Sequence, residues 1–86
     1  MIEVTSHQAA YQRKLVHQAN QIGKFFAHQP QPEAVANIAD HLRKFWDPRM
    51  RAQILFHLEN GGEGLDELPR HAIEKIASET TQDLSR

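Results

Sequence analysis

The sequence predicts an all-α fold, a compact bundle of three or four short helices. Apolar residues recur at helical spacing along most of the chain, and no segment alternates apolar and polar residues for long enough to indicate a strand. Prolines and glycines separate the periodic segments, as expected where helices end. The chain has 86 residues, of which 40% are apolar, so we expect one small domain. A chain this short has a modest core, which favours stabilisation by a partner.

The first helix is expected to start near Thr5 and to end before the prolines of residues 28–32, HQPQP. Thr5 and Gln8 fit a capping box, in which both side chains bind free backbone N–H groups. The two prolines remove backbone donors and disfavour helical geometry in the residues before them. The apolar residues of this helix form one stripe, which consists of Tyr11, Leu15, Ala19, Ile22 and Phe26.

A second line of residues lies on the same helix, roughly 100° from the stripe. It consists of Val16, Asn20, Gly23 and Ala27. A glycine inside a helix costs about 0.5–1 kcal/mol relative to alanine, so Gly23 indicates close approach by another backbone. That backbone belongs either to another helix of this bundle or to a partner, and the sequence leaves both open.

The second helix is expected to begin near Pro32 or Glu33 and to end at Asp47-Pro48. Its spacing predicts one broad face directed at the core. The residues on that face are Val35, Ile38, Ala39, Leu42, Phe45 and Trp46.

The third helix is expected to run from the Asp-Pro corner to about Glu59. Asp47 is suited to cap it, with Pro48 at the first helical position, where a missing N–H costs nothing. Residues 60–62, Asn-Gly-Gly, tolerate the positive φ angles that helix C-termini often require.

A fourth helix is expected after Asp66, which can cap it, with Pro69 in its first turn. Its buried side is predicted at Leu68, Ala72, Ile73 and Ile76. Residues 78–86, SETTQDLSR, are polar and aperiodic, so we expect a flexible tail there. The predicted organisation is a single helical domain over residues 1–77 followed by this tail.

The third helix has more apolar surface than one core contact requires. Met50, Ile54 and Leu58 share one side, whereas Leu55 and Phe56 point elsewhere. A short helix that is apolar nearly all round is buried on more than one side. This pattern predicts a docking surface for another protein, and the alternative is a central helix covered by the other helices of the chain.

Two arginines follow the Asp-Pro corner, although the helix dipole disfavours cations near a helix N-terminus. Arg49 and Arg51 either pair with carboxylates of this chain, such as Asp40 or Asp47, or bind a carboxylate or phosphate of a partner. The predicted partner-binding residues are Phe45, Trp46, Asp47, Pro48, Arg49, Met50, Arg51, Leu55 and Phe56.

The sequence lacks the residue patterns of common catalytic and metal sites. It contains no cysteine, and its six histidines lie at least ten positions apart, so none form the i, i+4 pair that binds a metal on one helix face. Residues 61–64, GGEG, lack the following Lys-Ser/Thr of a phosphate-binding loop. Serines occur only near the two termini. We therefore expect no catalytic residue, no metal and no cofactor on this chain.

Composition also restricts the location and the partners. The start of the chain lacks the basic and apolar regions of a signal peptide, and no apolar run approaches the roughly 20 residues of a membrane span. The formal net charge of −1 argues against nucleic-acid binding. We expect a cytoplasmic protein that binds neither membrane nor nucleic acid.

Three segments between Lys14 and Ile76 resemble the delta subunit of cytoplasmic NAD-dependent formate dehydrogenases. They are KLVHQANQIGKFF, VANIADHLRKFWDPRMR and GGEGLDEL. The family pattern falls on Phe45, Trp46, Asp47, Pro48, Arg49, Met50, Arg51, Gly61, Gly62, Gly64 and Leu65. The resemblance transfers no catalytic residue onto these positions.

The resemblance implies an accessory subunit that aids assembly or stability of a formate-oxidising complex. In that family a molybdenum or tungsten pterin cofactor is bound by the catalytic subunit, and iron–sulfur clusters and flavin pass electrons to NAD. This chain would dock on the catalytic subunit, either permanently or during assembly, with its arginines directed at a partner carboxylate or at the cofactor's phosphates.

Two alternatives from other classes remain at this stage. The first is a small helix-turn-helix regulator with the Asp-Pro corner as its turn, which the lack of a basic recognition helix opposes. The second is a free-standing homo-oligomeric bundle in which a second copy covers Leu55 and Phe56.

Overall fold

The computed structural model describes the backbone of residues 2–84 and the side chains of residues 9–79. This part of the chain folds into four α-helices without a strand: α1 (Ile2–Phe26), α2 (Gln31–Phe45), α3 (Pro48–Glu59) and α4 (Glu67–Leu84). The predicted all-α fold is confirmed.

The helix boundaries agree with the sequence at the corner and differ at the two ends of the chain. Helix α3 occupies the predicted range. Helix α1 begins at Ile2, so Thr5 lies inside it and not at its cap. Helix α4 continues to Leu84, so the predicted end before residue 78 was wrong. The sequence after Arg70 contains no glycine or proline, and polar residues alone do not stop a helix. Flexibility of residues 78–86 stays a prediction, and residues 85–86 lie outside the described range.

One core joins all four helices. Its buried members are Leu15, Val16, Ala19, Ile38, Ala39, Leu42, Trp46, Ile54, Ala72, Ile73 and Ile76. Most lie on the stripes that the sequence predicts. Helices α2 and α4 share the most extensive interface; α1 packs against both of them, and α3 packs against α4 and α1.

The second line on α1 contacts α4 and the loop that precedes it. A Cβ atom added to Gly23 would lie 2.8 Å from Cδ of Pro69, so the missing side chain allows α4 to approach α1 closely. Asn20 donates from Nδ2 to the Gly64 carbonyl oxygen and accepts through Oδ1 from the Asp66 N–H, both at 2.9 Å. Of the two alternatives for this line, contact within the bundle is confirmed.

The α3–α4 loop depends on its glycines. Gly61, Gly62 and Gly64 have φ angles of 112°, 63° and 87°, which side chains other than glycine rarely adopt. The sequence-based assignment of Asn-Gly-Gly to a helix C-terminus is confirmed.

Within residues 2–84 no helix combines the length and the hydropathy that a bilayer-spanning segment needs.

Candidate docking site

The α2–α3 corner is fixed from inside the chain. Asp47 caps α3, accepting the Met50 N–H through Oδ1 at 2.9 Å, and Pro48 is the first residue of the helix. Trp46 is 6% exposed and belongs to the core. The predicted cap is therefore confirmed, and the two residues beside it hold the direction of α3 relative to α2.

Arg51 has internal partners of a kind that the sequence did not indicate. Its Nη1 atom donates to the carbonyl oxygen of Arg43 at 3.1 Å and to that of Trp46. Backbone carbonyls at a helix C-terminus lack intrahelical partners and carry partial negative charge. Arg51 thus binds the end of α2 and not the carboxylates of Asp40 or Asp47. Asp40 pairs with Lys44 at 3.1 Å.

Arg49 differs from Arg51. Its side chain is exposed, and among the described residues it has no hydrogen-bond or ion-pair partner. Of the two arginines that follow the corner, only Arg49 is available to a carboxylate of another molecule.

The apolar surface of α3 is partly used by the core. Ile54 is 2% exposed, and Met50 and Leu55 are half-buried and pack against the core cluster. Phe56 remains 54% exposed on the opposite side of the helix. The predicted excess of apolar surface on α3 therefore reduces to Phe56, because Leu55 is largely occupied within the chain.

Four aromatic rings form a continuous surface cluster across α1 and α2, which we call the aromatic patch: Phe25, Phe26, His41 and Phe45. The ring centroids of Phe25 and Phe26 are 5.0 Å apart, and those of His41 and Phe45 are 4.7 Å apart. Phe26 and His41 join the two pairs, with centroids separated by 6.4 Å. Phe25 and Phe45 are 73% and 70% exposed, so the expectation that Phe45 lies in the core was wrong.

Sequence reasoning missed Phe25 and His41 as members of a surface cluster, and it missed the exposure of Phe45, for a physical reason. Phe45 fits the apolar spacing of α2, and Phe26 fits the stripe of α1. Phe26 does pack against the core, whereas the exposure of Phe45 depends on the angle at which the end of α1 crosses α2, which no local pattern encodes. One signal was present: consecutive phenylalanines on a helix point about 100° apart, so Phe25 and Phe26 cannot both face one core.

A cleft of about 660 Å³ lies on another face, between α1 and the α3–α4 loop. Arg13, His17, His57 and Glu63 line it, and His57 Nε2 donates to the Glu63 carbonyl oxygen at 2.8 Å. Because cationic and anionic side chains share its walls, the cleft does not favour one sign of charge. No group of side chains within the described residues is arranged to hold a metal ion.

Residues 14–73 match the family model described as NADH-dependant formate dehydrogenase delta subunit FdsD. No curated protein and no solved structure matches the chain. The matched range contains the aromatic patch, the Asp-Pro corner, α3 and the glycine loop. The chain belongs to the family of NADH-dependent formate dehydrogenase delta subunits, FdsD.

Proposed function

We propose that this chain is a non-catalytic accessory subunit that docks on the catalytic subunit of its formate dehydrogenase and supports assembly or stability of the complex. The observation that carries the proposal is family membership as a subunit, over a range that includes exposed phenylalanines and a cation without a partner in the described structure. Exposed phenylalanine and arginine side chains are typical anchors of protein interfaces.

The predicted partner-binding residues take two roles in this proposal. Phe45, Arg49 and Phe56 are exposed and contact the partner. The other six, of which Asp47 and Pro48 are also exposed, hold those three in position through contacts within the chain. They are Trp46, Asp47, Pro48, Met50, Arg51 and Leu55. This division differs from the sequence-based prediction, in which all nine were candidates for direct contact.

Redox cofactors belong to other subunits in this proposal. A chain without cysteine has no thiolate to ligate an iron–sulfur cluster, and the described residues lack a metal-binding group. The molybdenum or tungsten pterin cofactor is placed in the catalytic subunit, and iron–sulfur clusters and flavin in partner subunits, as the resemblance implies.

The complex is cytoplasmic. Family membership does not favour the helix-turn-helix alternative.

Co-expression tests the proposal. The remaining subunits of the same formate dehydrogenase are produced with and without this chain, and assembled complex and formate-dependent NAD reduction are measured. We expect the yield of active complex to fall several-fold without the chain, and tagged chain to recover the catalytic subunit. Full assembly and activity in its absence would contradict an accessory role.

The same preparation distinguishes a permanent subunit from an assembly factor. A permanent subunit is present in the purified active enzyme at a fixed ratio to the catalytic subunit, as measured by native mass spectrometry. An assembly factor is required during expression but is absent from the mature complex. Light scattering of the isolated chain then shows whether the unpaired subunit forms a homo-oligomer.

A further inference from the structure

The two sequence ranges that carry the aromatic patch and the adjoining corner have an excess of positive charge. Residues 21–31 and 40–51 carry these features, and they contain five Lys/Arg and two Asp/Glu. The rest of the chain contains five Lys/Arg and nine Asp/Glu. In a chain of formal net charge −1, these two ranges therefore form a cationic region of the sequence, and they contain Phe25 and Phe45 but not the exposed Phe56.

Several of these positive charges are not neutralised within the described structure. Lys24 directly precedes Phe25 on α1, and Arg49 lies in the first turn of α3; both are exposed and without an ion-pair partner among residues 9–79. Arg51 binds only carbonyl oxygens, which leaves its net charge in place. By contrast, Arg43 pairs with Glu79 at 2.6 Å and Lys44 with Asp40 at 3.1 Å.

The exposed rings are also held in place. Phe25 packs edge-on against Phe26 at an interplanar angle of 87°, and Phe45 packs against His41. A side chain that is already ordered loses less conformational entropy when a partner covers it. The patch thus combines preorganised apolar anchors with cations that are near in sequence, Lys24 directly before Phe25 and Arg49 four residues after Phe45.

We propose that the aromatic patch and the cations beside it bind an acidic segment of the catalytic subunit, in which apolar side chains are flanked by aspartate or glutamate. Phe25 and Phe45 contact the apolar side chains, while Lys24 and Arg49 bind the carboxylates. This inference rests on the proposed function and deepens it, because it extends the docking surface onto α1 and specifies the chemistry of the partner.

Charge complementarity favours this occupant over a second copy of the chain. A two-fold interface places the same surface on both sides, so two copies of Lys24 and Arg49 would come together. Like charges that face each other across an interface weaken binding, whereas carboxylates of a different protein strengthen it.

Binding of the full-length chain to the formate dehydrogenase complex that lacks it tests the inference. One variant combines Phe25→Ser with Phe45→Ser, and another combines Lys24→Glu with Arg49→Glu. Each is expected to raise Kd about tenfold or more, as loss of interface anchors does. Raising the salt concentration from about 50 mM to about 500 mM should diminish the effect of the charge reversals and leave that of the phenylalanine substitutions, since salt screens exposed charges.

Matched controls separate the patch from the rest of the surface. Lys14→Glu with Lys75→Glu makes the same change in net charge at exposed positions outside the cationic region, and it should change Kd by less than about threefold. Circular dichroism checks that each variant is folded. The variant that combines Lys24→Glu with Arg49→Glu changes no core residue. Its effect on Kd therefore tests the inference even if the double phenylalanine variant does not fold.

The outcomes are distinguishable. If the wild-type chain does not bind the complex, the proposed function fails and this inference fails with it. If binding is weakened by Phe56→Ser but not by either patch variant, docking stands and this inference is overturned. Equal weakening by the patch charge reversal and by its Lys14/Lys75 control also overturns it.

Photo-crosslinking identifies the occupant directly. Phe45 is replaced by benzoylphenylalanine, and the linked peptide is sequenced after irradiation of the assembled complex. We expect a peptide of the catalytic subunit with more Asp/Glu than Lys/Arg. A peptide from a second copy of this chain, a basic peptide, or patch-dependent binding of a single-stranded oligonucleotide would overturn the assignment.

Discussion

At Gly23 the lack of a side chain determines how closely α1 and α4 pack. An added Cβ would lie 2.8 Å from Cδ and 3.3 Å from Cγ of Pro69. Pro69 is among the fully buried side chains, and its ring cannot rotate away as a flexible side chain would. The contact therefore requires a glycine, despite the helical conformation of this segment.

Gly23→Ala is expected to lower the free energy of unfolding by about 1–3 kcal/mol, the usual cost of overpacking a core. Helix propensity acts in the opposite direction by about 0.5–1 kcal/mol and does not offset it. Urea denaturation followed by far-UV circular dichroism measures the change. In a Pro69→Ala background the same substitution should cost less, and an unchanged cost would show that the proline ring is not its cause.

At the residue scale, an interaction can be predicted from the sequence when its partners are close together along the chain. Asp47 was predictable as a cap because its acceptor and the Met50 N–H are three residues apart. The partners of Arg51 were not, because they are backbone carbonyls at the end of the preceding helix, which no side-chain pattern marks. The exposure of Phe45 depends on helix crossing and was equally inaccessible, whereas the adjacent Phe25 and Phe26 gave a signal that one of them faces away from the core.

At the element scale, the α2–α3 corner is held by contacts from both helices. The Asp47 side chain binds the N-terminus of α3, and the Arg51 guanidinium reaches back to the carbonyl oxygens that end α2. Each group satisfies backbone atoms that a helix end leaves without partners. This arrangement explains an arginine in the first turn of α3, where the helix dipole alone would disfavour it.

Arg51→Ala is expected to lower the free energy of unfolding by about 1–3 kcal/mol, the range for loss of a charged hydrogen-bonding partner. Arg49→Ala provides the matched control, because this neighbouring arginine is exposed and without a partner among the described residues; its effect should stay within about 0.5 kcal/mol. Thermal and urea unfolding of the two variants measure the difference. Equal effects would contradict an internal role specific to Arg51.

Helix boundaries show the same dependence on local signals. The ends of α2 and both ends of α3 lie at residues that the sequence marks as breakers or caps. These residues are the prolines, Asp47 and the glycine loop. Helix α4 extends past the predicted end because residues 78–84 contain no breaker, and polarity alone does not end a helix.

At the scale of the whole molecule, one core contains residues from every helix and the single tryptophan of the chain. Trp46 contacts this core at the junction of α2 and α3. Its fluorescence therefore reports the same cooperative unit as the helical signal, provided that the chain unfolds in one step.

Urea unfolding followed by Trp46 fluorescence should coincide with unfolding followed by far-UV circular dichroism. Leu42→Ala, at a fully buried position of α2, should shift both midpoints together, with a loss of about 2–5 kcal/mol. A tryptophan transition at lower urea than the helical transition would show that the corner unfolds separately.

The uneven distribution of charge also affects how the molecule approaches another. Electrostatic forces in physiological buffer decay over about 8 Å. The shortest dimension of this molecule, 22 Å, is several times larger. A neighbour therefore senses the charges on the side that is nearer to it and not the net charge of −1. The excess of Lys/Arg in residues 40–51 would attract an acidic protein to that side before any side chains touch, so orientation is selected during diffusion.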